Sequence, residues 1–421
     1  MLQTFKQVVA YFNERDKIGI KPGLERVFNL LEKANHPEQD INGIHFAGTN
    51  GKGSTIEMVQ SALVAHGYQV GVFTSPSFIG IRGHFLINGI PIEKEKMIQL
   101  VNELMPHIDA LDAKEQHPTT FEILTVIAFM YFKDNTDIVL VETGMGGRYD
   151  TTNCFIPLIS VITTIAYDHM EFLGSSIEEI ASQKAGIIKK KRPLVLGNVS
   201  EAARDVILKE ASEKSASTYV YKETFNVDEG VIRIDGKEQR INIHELALKG
   251  QHQMENAAVA MMTLSILDTL DFPLEWGKIE QAIKTTTLPG RFEKIYNEPT
   301  IILDSAHNIA GIQALKKTIC EMHSLGKTEL LFAGFYDKQL SEMLPIIHPL
   351  FDKVVLTTFE HERAATRSML ETLEHDLYVP HWQDYVEEIL HQKSNTTYFI
   401  TGSLHFITLV RAYLLANKPT S

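Results

Sequence analysis

The chain has 421 residues, of which 44% are hydrophobic and 22% charged, and its formal net charge is −13. This length predicts two domains, and the composition is that of an ordinary globular protein. The negative charge argues against a general nucleic-acid binder, which needs a basic face, so we expect no nucleic-acid partner.

The first predicted strand, 43–47, runs into a glycine-rich loop that is typical of triphosphate binding. The loop and the start of the helix after it consist of Gly48, Thr49, Asn50, Gly51, Lys52, Gly53, Ser54 and Thr55. Backbone N–H groups at a helix N-terminus attract phosphates, Lys52 adds a positive charge, and Ser54 or Thr55 can approach Mg²⁺. The spacing departs from the usual G-x-x-x-x-G-K-[ST] pattern, because Gly53 separates Lys52 from Ser54.

Short β-branched runs alternate with longer helical patterns along the rest of the chain. This alternation predicts a mostly parallel sheet covered by helices. Further strands are predicted at 69–73, 138–142, 159–164, 194–197, 301–304, 329–333, 353–357 and 397–401, and a β-rich insertion with an Asp235-Gly236 turn at about 218–250. Ligands of open α/β sheets bind beyond the carboxyl ends of the strands. Unusual polar residues follow several of these strands, which favours one shared site.

Ser75 and Glu142 are candidate ligands of Mg²⁺, which prefers oxygen. Glu142 ends an apolar run, where a carboxylate is costly unless it is paired or binds a metal. A solvated strand end would also account for Glu142, and a turn before Pro76 would account for Ser75.

Asp168 and His169 follow the strand at 159–164, and Asp304 and His307 follow the strand at 301–304. Imidazole prefers softer metals than Mg²⁺, so His169 is a less expected ligand. Structural roles in loops remain open for both histidines, and only their positions at strand ends favour function.

The apolar run at 155–166 is too short to span a bilayer and contains Pro157. Only two cysteines occur, Cys154 and Cys320, without the spacing of a metal site, and the N-terminus lacks the apolar core of a signal peptide. We expect a cytoplasmic protein with no membrane partner.

Lys184 gives a sharper signal. Ser176 and Glu179 form a capping-box pattern that predicts a helix running to about Lys189. On this helix Lys184 falls within an apolar stripe rather than on the solvated face. A lysine there either extends its amine to solvent or is held for its charge or for chemical modification.

The segment 250–258 predicts the start of a helix. The side-chain amides of its Gln and Asn residues either contact a purine or cap this helix. A domain boundary is expected near Leu288-Pro289-Gly290, where an ordinary loop is the alternative. Arg291 follows, and its guanidinium suits phosphate recognition or a surface salt bridge.

Taken in order, these motifs resemble the Mur ligase superfamily, and specifically the folylpolyglutamate synthase / dihydrofolate synthase family. The resemblance covers essentially the whole chain and includes the off-pattern glycine loop. The matching segments are 48–54, 74–76, 142–153, 168–169 with 173–174, 184–187, 250–257, 290–293, 304–308, 337–338 and 401–403.

The resemblance implies an α/β fold with two domains. Residues 1–289 would form an ATP-binding domain with a P-loop and a parallel sheet. Residues 290–421 would form a smaller Rossmann-like glutamate-ligase domain, with the site in the cleft between the two. The expected protein is a monomer.

The resemblance also implies roles for single residues. Lys52 and the loop amides would hold ATP phosphates, and Asn256 would contact adenine. Arg291, Asp304 and His307 would contact the nucleotide. Ser75, Glu142 and His169 would lie around Mg²⁺, and a carbamoylated Lys184 would help to hold a second Mg²⁺. A bound monovalent cation is left open.

The implied reaction is ATP-dependent ligation of L-glutamate to the carboxylate of a folate or of dihydropteroate, through an acyl phosphate. Lys52, His169 and Lys184 would be catalytic. One departure concerns Ser77 to Phe85, where family members carry an Asn-Glu-Arg-Ile-like run and only Arg82 is recognisable here. The choice between the two acceptors, or both, stays open.

Two alternatives are another Mur-type ligase and an inactive nucleotide-binding homologue that acts as a regulatory partner. The first would need an extra N-terminal domain before the ATP loop, which begins here at Gly48. The inactive homologue is disfavoured, because the proposed functional residues Lys52, Glu142, His169 and Lys184 are all present. It stays open because the segment after Pro76 departs from the family pattern.

Overall fold

A computed structural model describes residues 1–19, 21–77, 79–234, 237–239, 245–322, 326–392 and 395–417, with only the backbone described at 237–239. The chain divides into two compact units. Unit 1 comprises Met1–Asn242 and Met254–Thr286, and unit 2 comprises Ile243–Gln253 and Thr287–Ser421. No helix within the described ranges combines the length and apolarity needed to cross a membrane.

Unit 1 is built on an eight-stranded sheet. Its strands are β1 (Gly43–Ala47), β2 (Val70–Phe73), β3 (Phe85–Ile87), β4 (Ile90–Pro91), β5 (Ile138–Glu142), β6 (Ile159–Ile162), β7 (Leu194–Leu196) and β8 (Thr218–Val220). The order is β4-β3-β2-β5-β1-β6-β7-β8. The six strands from β2 to β8 in this order pair in parallel, and β3 and β4 form an antiparallel edge next to β2. Strands β1 and β5 are buried along their whole length, as expected for the centre of a parallel sheet.

Helices cover this sheet. They are α1 (Phe5–Arg15), α2 (Glu25–Lys33), α3 (Lys52–Ala65), α4 (Lys94–Asp112), α5 (Thr120–Phe132), α6 (Met170–Leu173), α7 (Ile177–Ala185), α8 (Glu201–Glu213), α9 (Gln251–Asp268) and α10 (Trp276–Thr285). Apolar side chains of α1, α2, α4 and α5 form one core with Phe73, Val139 and Val141 of the sheet. Those of α7 and α8 form another core with Ile162 and Leu194.

A separate antiparallel sheet follows β8. It consists of β9 (Phe225–Asp228), β10 (Val231–Ile234) and β11 (Lys237–Gln239). The predicted insertion at 218–250 is thus β-rich as expected, although its first strand, β8, joins the main sheet. The predicted Asp235-Gly236 turn lies outside the described residues.

Unit 2 contains a six-stranded sheet in the order β12-β13-β17-β14-β15-β16, parallel except for the β12–β13 pair. Its strands are β12 (Glu293–Tyr296), β13 (Thr300–Leu303), β14 (Thr328–Phe332), β15 (Lys353–Thr357), β16 (Leu377–Val379) and β17 (Thr397–Thr401). Its helices are α11 (Ile309–Cys320), α12 (Leu340–Ile347), α13 (Arg367–Leu370), α14 (Trp382–His391) and α15 (Leu404–Ala416).

The nine individually predicted strands are all present, with ends that shift by at most two residues, and the predicted α/β class is confirmed. The helix predicted from the Ser176 cap is also present, with both hydrogen bonds of the capping box. Its predicted end near Lys189 is wrong, because α7 stops at Ala185. The Gln183 carbonyl accepts the Arg148 N–H at 2.7 Å. After Ala185 the backbone N–H groups bond to the carbonyl three residues earlier, as in a 3₁₀ turn, and no longer to the carbonyl four residues earlier.

We expect Gly186→Ala to destabilise the protein. Gly186 has an ordinary helical φ of −58°, but an added Cβ would lie 2.3 Å from the Arg148 Cα, where the backbone cannot move aside. The free energy of unfolding measured in urea should fall by about 1–3 kcal/mol. Gly277→Ala is the matched control, because a Cβ there meets nothing within 4 Å, and its stability should stay equal or rise by up to about 1 kcal/mol. Equal stabilities for the two variants would contradict the close packing.

Candidate active site

The glycine loop connects the end of β1 with the start of α3. Gly48 and Gly51 have φ angles of 156° and 89°. A Cβ on Gly48 would lie 2.0 Å from Thr163 Oγ1, and one on Gly51 would lie 2.4 Å from Asn256 Oδ1. Glycine is therefore required at both positions, and Asn256 packs directly against the loop.

The segment after β6 holds the loop through hydrogen bonds. Thr49 N donates to the Thr164 carbonyl at 2.8 Å, and Asn50 N donates to Thr164 Oγ1 at 2.9 Å. The hydroxyls of Thr163 and Thr164 donate to the Asn50 carbonyl at 2.7 and 2.9 Å. Thr49 Oγ1 and the backbone of Ala166 form a further pair of hydrogen bonds. These hydrogen bonds fix the directions of the backbone groups of Thr49 and Asn50.

Lys52 and Glu142 face each other at the ends of adjacent strands. Lys52 Nζ donates to the Gly48 carbonyl at 2.9 Å and lies 3.7 Å from Glu142 Oε1. The other carboxylate oxygen, Oε2, accepts the Thr74 hydroxyl and lies 3.4 Å from Ser75 N. Glu142 is only 6% exposed, so this carboxylate is not a solvated strand end. It is a buried charge with a cation and a hydroxyl as partners.

Lys184 lies on the last turn of α7, close enough to Lys52 for the two charges to interact. Its side chain is buried, and this burial, with the positive charge of Lys52, lowers the pKa of Lys184 to about 7. Asp168 and Asp150 act in the opposite direction. Lys184 therefore does not extend its amine to solvent, and near neutral pH a large fraction of the amine is uncharged.

His169 precedes α6 and has a left-handed backbone, with φ of 50°. Its Nε2 lies 4.0 Å from Asp168 Oδ1, and its side chain is 38% exposed, whereas that of Asp168 is 7% exposed. The accessible ring and the buried carboxylate give this strand end both a ligand-accessible group and a charge that acts on Lys184.

The loop after β5 is organised by Asp150. Its carboxylate accepts Met145 N–H at 2.7 Å and Thr152 N–H at 3.0 Å, and burial raises its pKa. Thr152 Oγ1 also lies 2.9 Å from Nε2 of His45, a fully buried residue of β1. Asp150 therefore fixes the glycine-rich turn that follows Glu142.

These groups suit a Mg²⁺ ion that is also held by a ligand. Glu142 supplies a buried carboxylate whose Oε2 is held by the Thr74 hydroxyl and by the backbone N–H of Ser75, the residue that also carries the candidate hydroxyl ligand. Across the described ranges, no three His, Cys, Asp or Glu residues are placed to hold a metal ion by themselves. This is the usual state of Mg²⁺ sites that depend on substrate phosphates and water for the remaining ligands.

Unit 2 places Asp304 at the end of β13. Its two oxygens accept Phe292 N–H and Ala306 N–H, each at 2.9 Å, and burial raises its pKa while nearby Arg291 opposes the rise. His307 Nδ1 donates to the Ser305 carbonyl at 2.8 Å, which fixes the orientation of the ring. Burial lowers the pKa of His252 to about 4, and the positive charge of Arg291 contributes to this shift.

The predicted residues thus form two groups. In unit 1, Lys52, Ser75, Glu142, Lys184 and Asn256 lie around the glycine loop, with His169 on the segment that also holds the loop. In unit 2, Arg291, Asp304 and His307 lie together. The roles assigned to these residues stay predictions.

Sequence reasoning gave no role to Thr163, Thr164 or His84. The two threonines follow a predicted strand, as the other polar residues do, so the strand-end argument could have included them. His84 follows a glycine in the segment that departs from the family pattern, and nothing in the sequence marks it.

Two family models match the chain. The Mur ligase middle domain matches residues 46–264, and the Mur ligase glutamate ligase domain matches residues 290–404. The dihydrofolate synthase/folylpolyglutamate synthase of Bacillus subtilis is 34% identical over 98% of this chain and 100% of its own length.

Solved structures of folylpolyglutamate synthases and of FolC are also similar to this chain over nearly its whole length. The E. coli FolC structure in complex with DHPP and ADP has a TM-score of 0.88 and 26% identity, and the match covers 99% of each chain. The Mycobacterium tuberculosis folylpolyglutamate synthase complexed with ADP and AMPPCP has a TM-score of 0.87 and 28% identity, also over 99% of each chain.

We expect Thr164→Val to loosen the glycine loop locally. Valine keeps the shape of the side chain but removes the hydroxyl that accepts the Asn50 N–H. Amide hydrogen exchange at Asn50, followed by NMR, should become at least about tenfold faster. The Thr49 amide is an internal control, because it donates to the backbone carbonyl of Thr164 and should change less than about twofold. Unchanged exchange at Asn50 would show that the hydroxyl does not hold the loop.

Proposed function

The chain belongs to the folylpolyglutamate synthase / dihydrofolate synthase family of Mur ligases, and on this premise we propose that it joins L-glutamate to the carboxylate of a folate, of dihydropteroate, or of both, at the expense of ATP. The observation that carries the proposal is the glycine loop whose Lys52 faces the buried Glu142 at 3.7 Å. That pair combines a phosphate-binding element with a carboxylate suited to a divalent cation.

The loop supplies the phosphate site. The first intrahelical hydrogen bond of α3 runs from Thr55 N to the Gly51 carbonyl, so earlier N–H groups lie at the open end of the helix. Such groups attract anions, and Lys52 can exchange the Gly48 carbonyl for a phosphate oxygen by rotation of its side chain. Asn256 is the proposed adenine contact, and its packing against Gly51 supports this proposal.

The reaction needs a leaving group, because a carboxylate is a poor acylating agent. A carboxylate oxygen of the pterin acceptor attacks the γ-phosphorus, the bond to the β–γ bridging oxygen breaks, and ADP leaves. The glutamate amine then attacks the carbonyl of the acyl phosphate, loses a proton, and phosphate leaves as the amide forms. Lys52 reduces the repulsion between the two anions that meet in the first step.

Ser75, Glu142 and His169 are the proposed Mg²⁺ residues. When bound, Mg²⁺ would neutralise phosphate charge and orient the γ-phosphate. The Thr74 hydroxyl and Ser75 N fix one oxygen of Glu142, which leaves Oε1 directed toward Lys52 and the phosphate side.

Lys184 is the proposed carbamoylated lysine. A neutral amine adds to CO₂ with formation of a C–N bond and release of one proton, and the product is a carbamate with one negative charge. Burial and the lowered pKa of Lys184 support this chemistry, because the neutral amine is the reactive form. The carbamate would then offer oxygen ligands to a second Mg²⁺.

The nucleotide contacts of Arg291, Asp304 and His307 are proposed from the family resemblance. Asp304 and His307 have fixed orientations in the turn after β13, as such contacts require. Cytoplasmic location and a monomeric state stay predictions, and a bound monovalent cation stays an open question.

We expect phosphate release from ATP and Mg²⁺ only when glutamate and a pterin acceptor are both present. Parallel assays with tetrahydrofolate and dihydropteroate separate folate extension from dihydrofolate synthesis, and activity with both indicates a bifunctional enzyme.

Lys52→Ala should lower turnover at least about a hundredfold while circular dichroism stays native. Lys17→Ala, at a lysine that is 71% exposed, should keep full activity. No glutamate-dependent phosphate release with either acceptor would refute the ligase.

We expect ¹³C-bicarbonate to give a carbamate signal in the ¹³C NMR spectrum that Lys184→Arg abolishes. The signal should increase as pH rises through about 7, because the amine loses its proton over that range. Lys189→Arg is the control: Lys189 is also partly buried with a pKa lowered to about 8, but its Nζ donates to the Asn153 carbonyl. Lys184→Ala should also abolish turnover, with partial rescue by short carboxylic acids. A signal that survives Lys184→Arg would contradict the assignment.

A further inference from the structure

We propose that His84 is a positioning residue for Glu142 and acts through Thr74. This inference rests on the proposed function, because Glu142 is a proposed Mg²⁺ residue. His84 belongs to the segment 77–85, which departs from the family pattern. His84 ends a short 3₁₀ turn, Ile81–His84, directly before β3. Phe78 of this segment lies outside the described residues.

His84 and Thr74 are joined by two hydrogen bonds. His84 Nδ1 donates to the Thr74 carbonyl at 2.7 Å, and Thr74 N donates to the His84 carbonyl at 3.3 Å. The two residues are the next pair beyond Phe73 and Phe85, the terminal pair of the antiparallel β2–β3 ladder. A carbonyl oxygen only accepts, so Nδ1 carries a proton in this arrangement. The ring therefore holds the backbone of Thr74 where the regular ladder has ended.

Because the backbone of Thr74 is held in place, its hydroxyl and the next N–H in turn hold the Glu142 carboxylate. Its hydroxyl donates to Glu142 Oε2, and the next backbone N–H, of Ser75, lies 3.4 Å from the same oxygen. Glu142 Oε1 faces Lys52 Nζ at 3.7 Å. A carboxylate with one oxygen held by donors has its remaining oxygen in a defined direction. Partners that hold a metal ligand in this way typically change metal affinity by 10–100-fold when they are removed.

The His84 ring also packs against two aromatic residues. Its centroid lies 6.5 Å from that of Phe73 and 6.4 Å from that of Phe85. Loss of this packing would lower stability without a specific effect on Glu142. A test must therefore separate the Nδ1 hydrogen bond from the packing of the ring.

Leucine and asparagine make this separation, because they have the same branched shape and differ in hydrogen bonding. Asparagine can place its amide nitrogen near the position of Nδ1 and donate to the Thr74 carbonyl, whereas leucine cannot. Both lose the ring. Arg82→Leu is the control from the same segment, because Arg82 Nε donates to the Ile92 carbonyl at 2.6 Å rather than to Thr74.

The measurement is binding of ADP by calorimetry, with Mg²⁺ and with EDTA. His84→Leu should raise the Kd for ADP with Mg²⁺ about tenfold and leave the Kd with EDTA within about twofold. His84→Asn and Arg82→Leu should stay within about twofold of the parent in both conditions. In a Thr74→Val background, which has already lost the hydroxyl, His84→Leu should have little additional effect.

Equal Kd values for the leucine and asparagine variants would overturn the inference, and so would an equal loss with EDTA. If His84→Leu does not fold, as judged by circular dichroism, His84→Gln replaces it, because glutamine places its donor further from the backbone than Nδ1. The Kd values of His84→Gln and His84→Asn for ADP, with Mg²⁺ and with EDTA, are then compared in the same way. A parent protein without Mg²⁺-dependent ADP binding would overturn the proposed function and this inference together, whereas normal parent binding with unaffected variants overturns this inference alone.

Discussion

A carboxylate buried at the end of one central strand faces a lysine that follows the neighbouring strand, and the rest of the unit 1 site is arranged around this pair. A buried charge is costly unless it is paired and hydrogen-bonded. Glu142 meets that requirement through Lys52, Thr74 and Ser75, which follow two different strands. The arrangement is stable only if those strand ends meet, so it depends directly on the order of the sheet.

The order β2-β5-β1-β6 satisfies this condition. Because β5 lies between β2 and β1, Glu142 has Thr74 on one side and the glycine loop on the other. Because β1 lies between β5 and β6, the same loop faces Glu142 on one side and the Thr163–Thr164 hydroxyls on the other. Gly48 and Gly51 make the close approach possible, since a Cβ at either position would occupy the place of a neighbouring polar atom. The loop is thus shaped by its two neighbouring strands.

This order explains which features could be predicted from the sequence. The nine predicted strands are short, mostly apolar runs that are almost entirely buried, so their composition identifies them. Strands β3, β4, β8, β12 and β16 are two to four residues long and partly exposed, and nothing distinguishes such segments from loops. The polar residues at strand ends were also predictable. Their partners were not, because Thr74 and Glu142 are 68 residues apart and no local pattern shows that β2 and β5 are neighbours. The early end of α7 has the same origin, in a contact with Arg148 from a distant loop.

Charge balance gives a reason why Lys184, rather than Lys189, would carry a modification. Both lysines are shielded from solvent and have a lowered pKa, but Lys189 Nζ donates to the Asn153 carbonyl and has a structural role. Lys184 is close enough to Lys52 for the two positive charges to repel, and this repulsion adds to the cost of burial. Conversion of the protonated lysine to a carbamate, with the release of two protons, changes the charge of the side chain from +1 to −1. The repulsion from Lys52 would then become attraction, and the apolar stripe of α7 would present oxygen atoms at the phosphate end of the sheet. The same burial that makes a charged lysine unfavourable at this position therefore favours the neutral form that reacts with CO₂, and the charge of Lys52 favours the product.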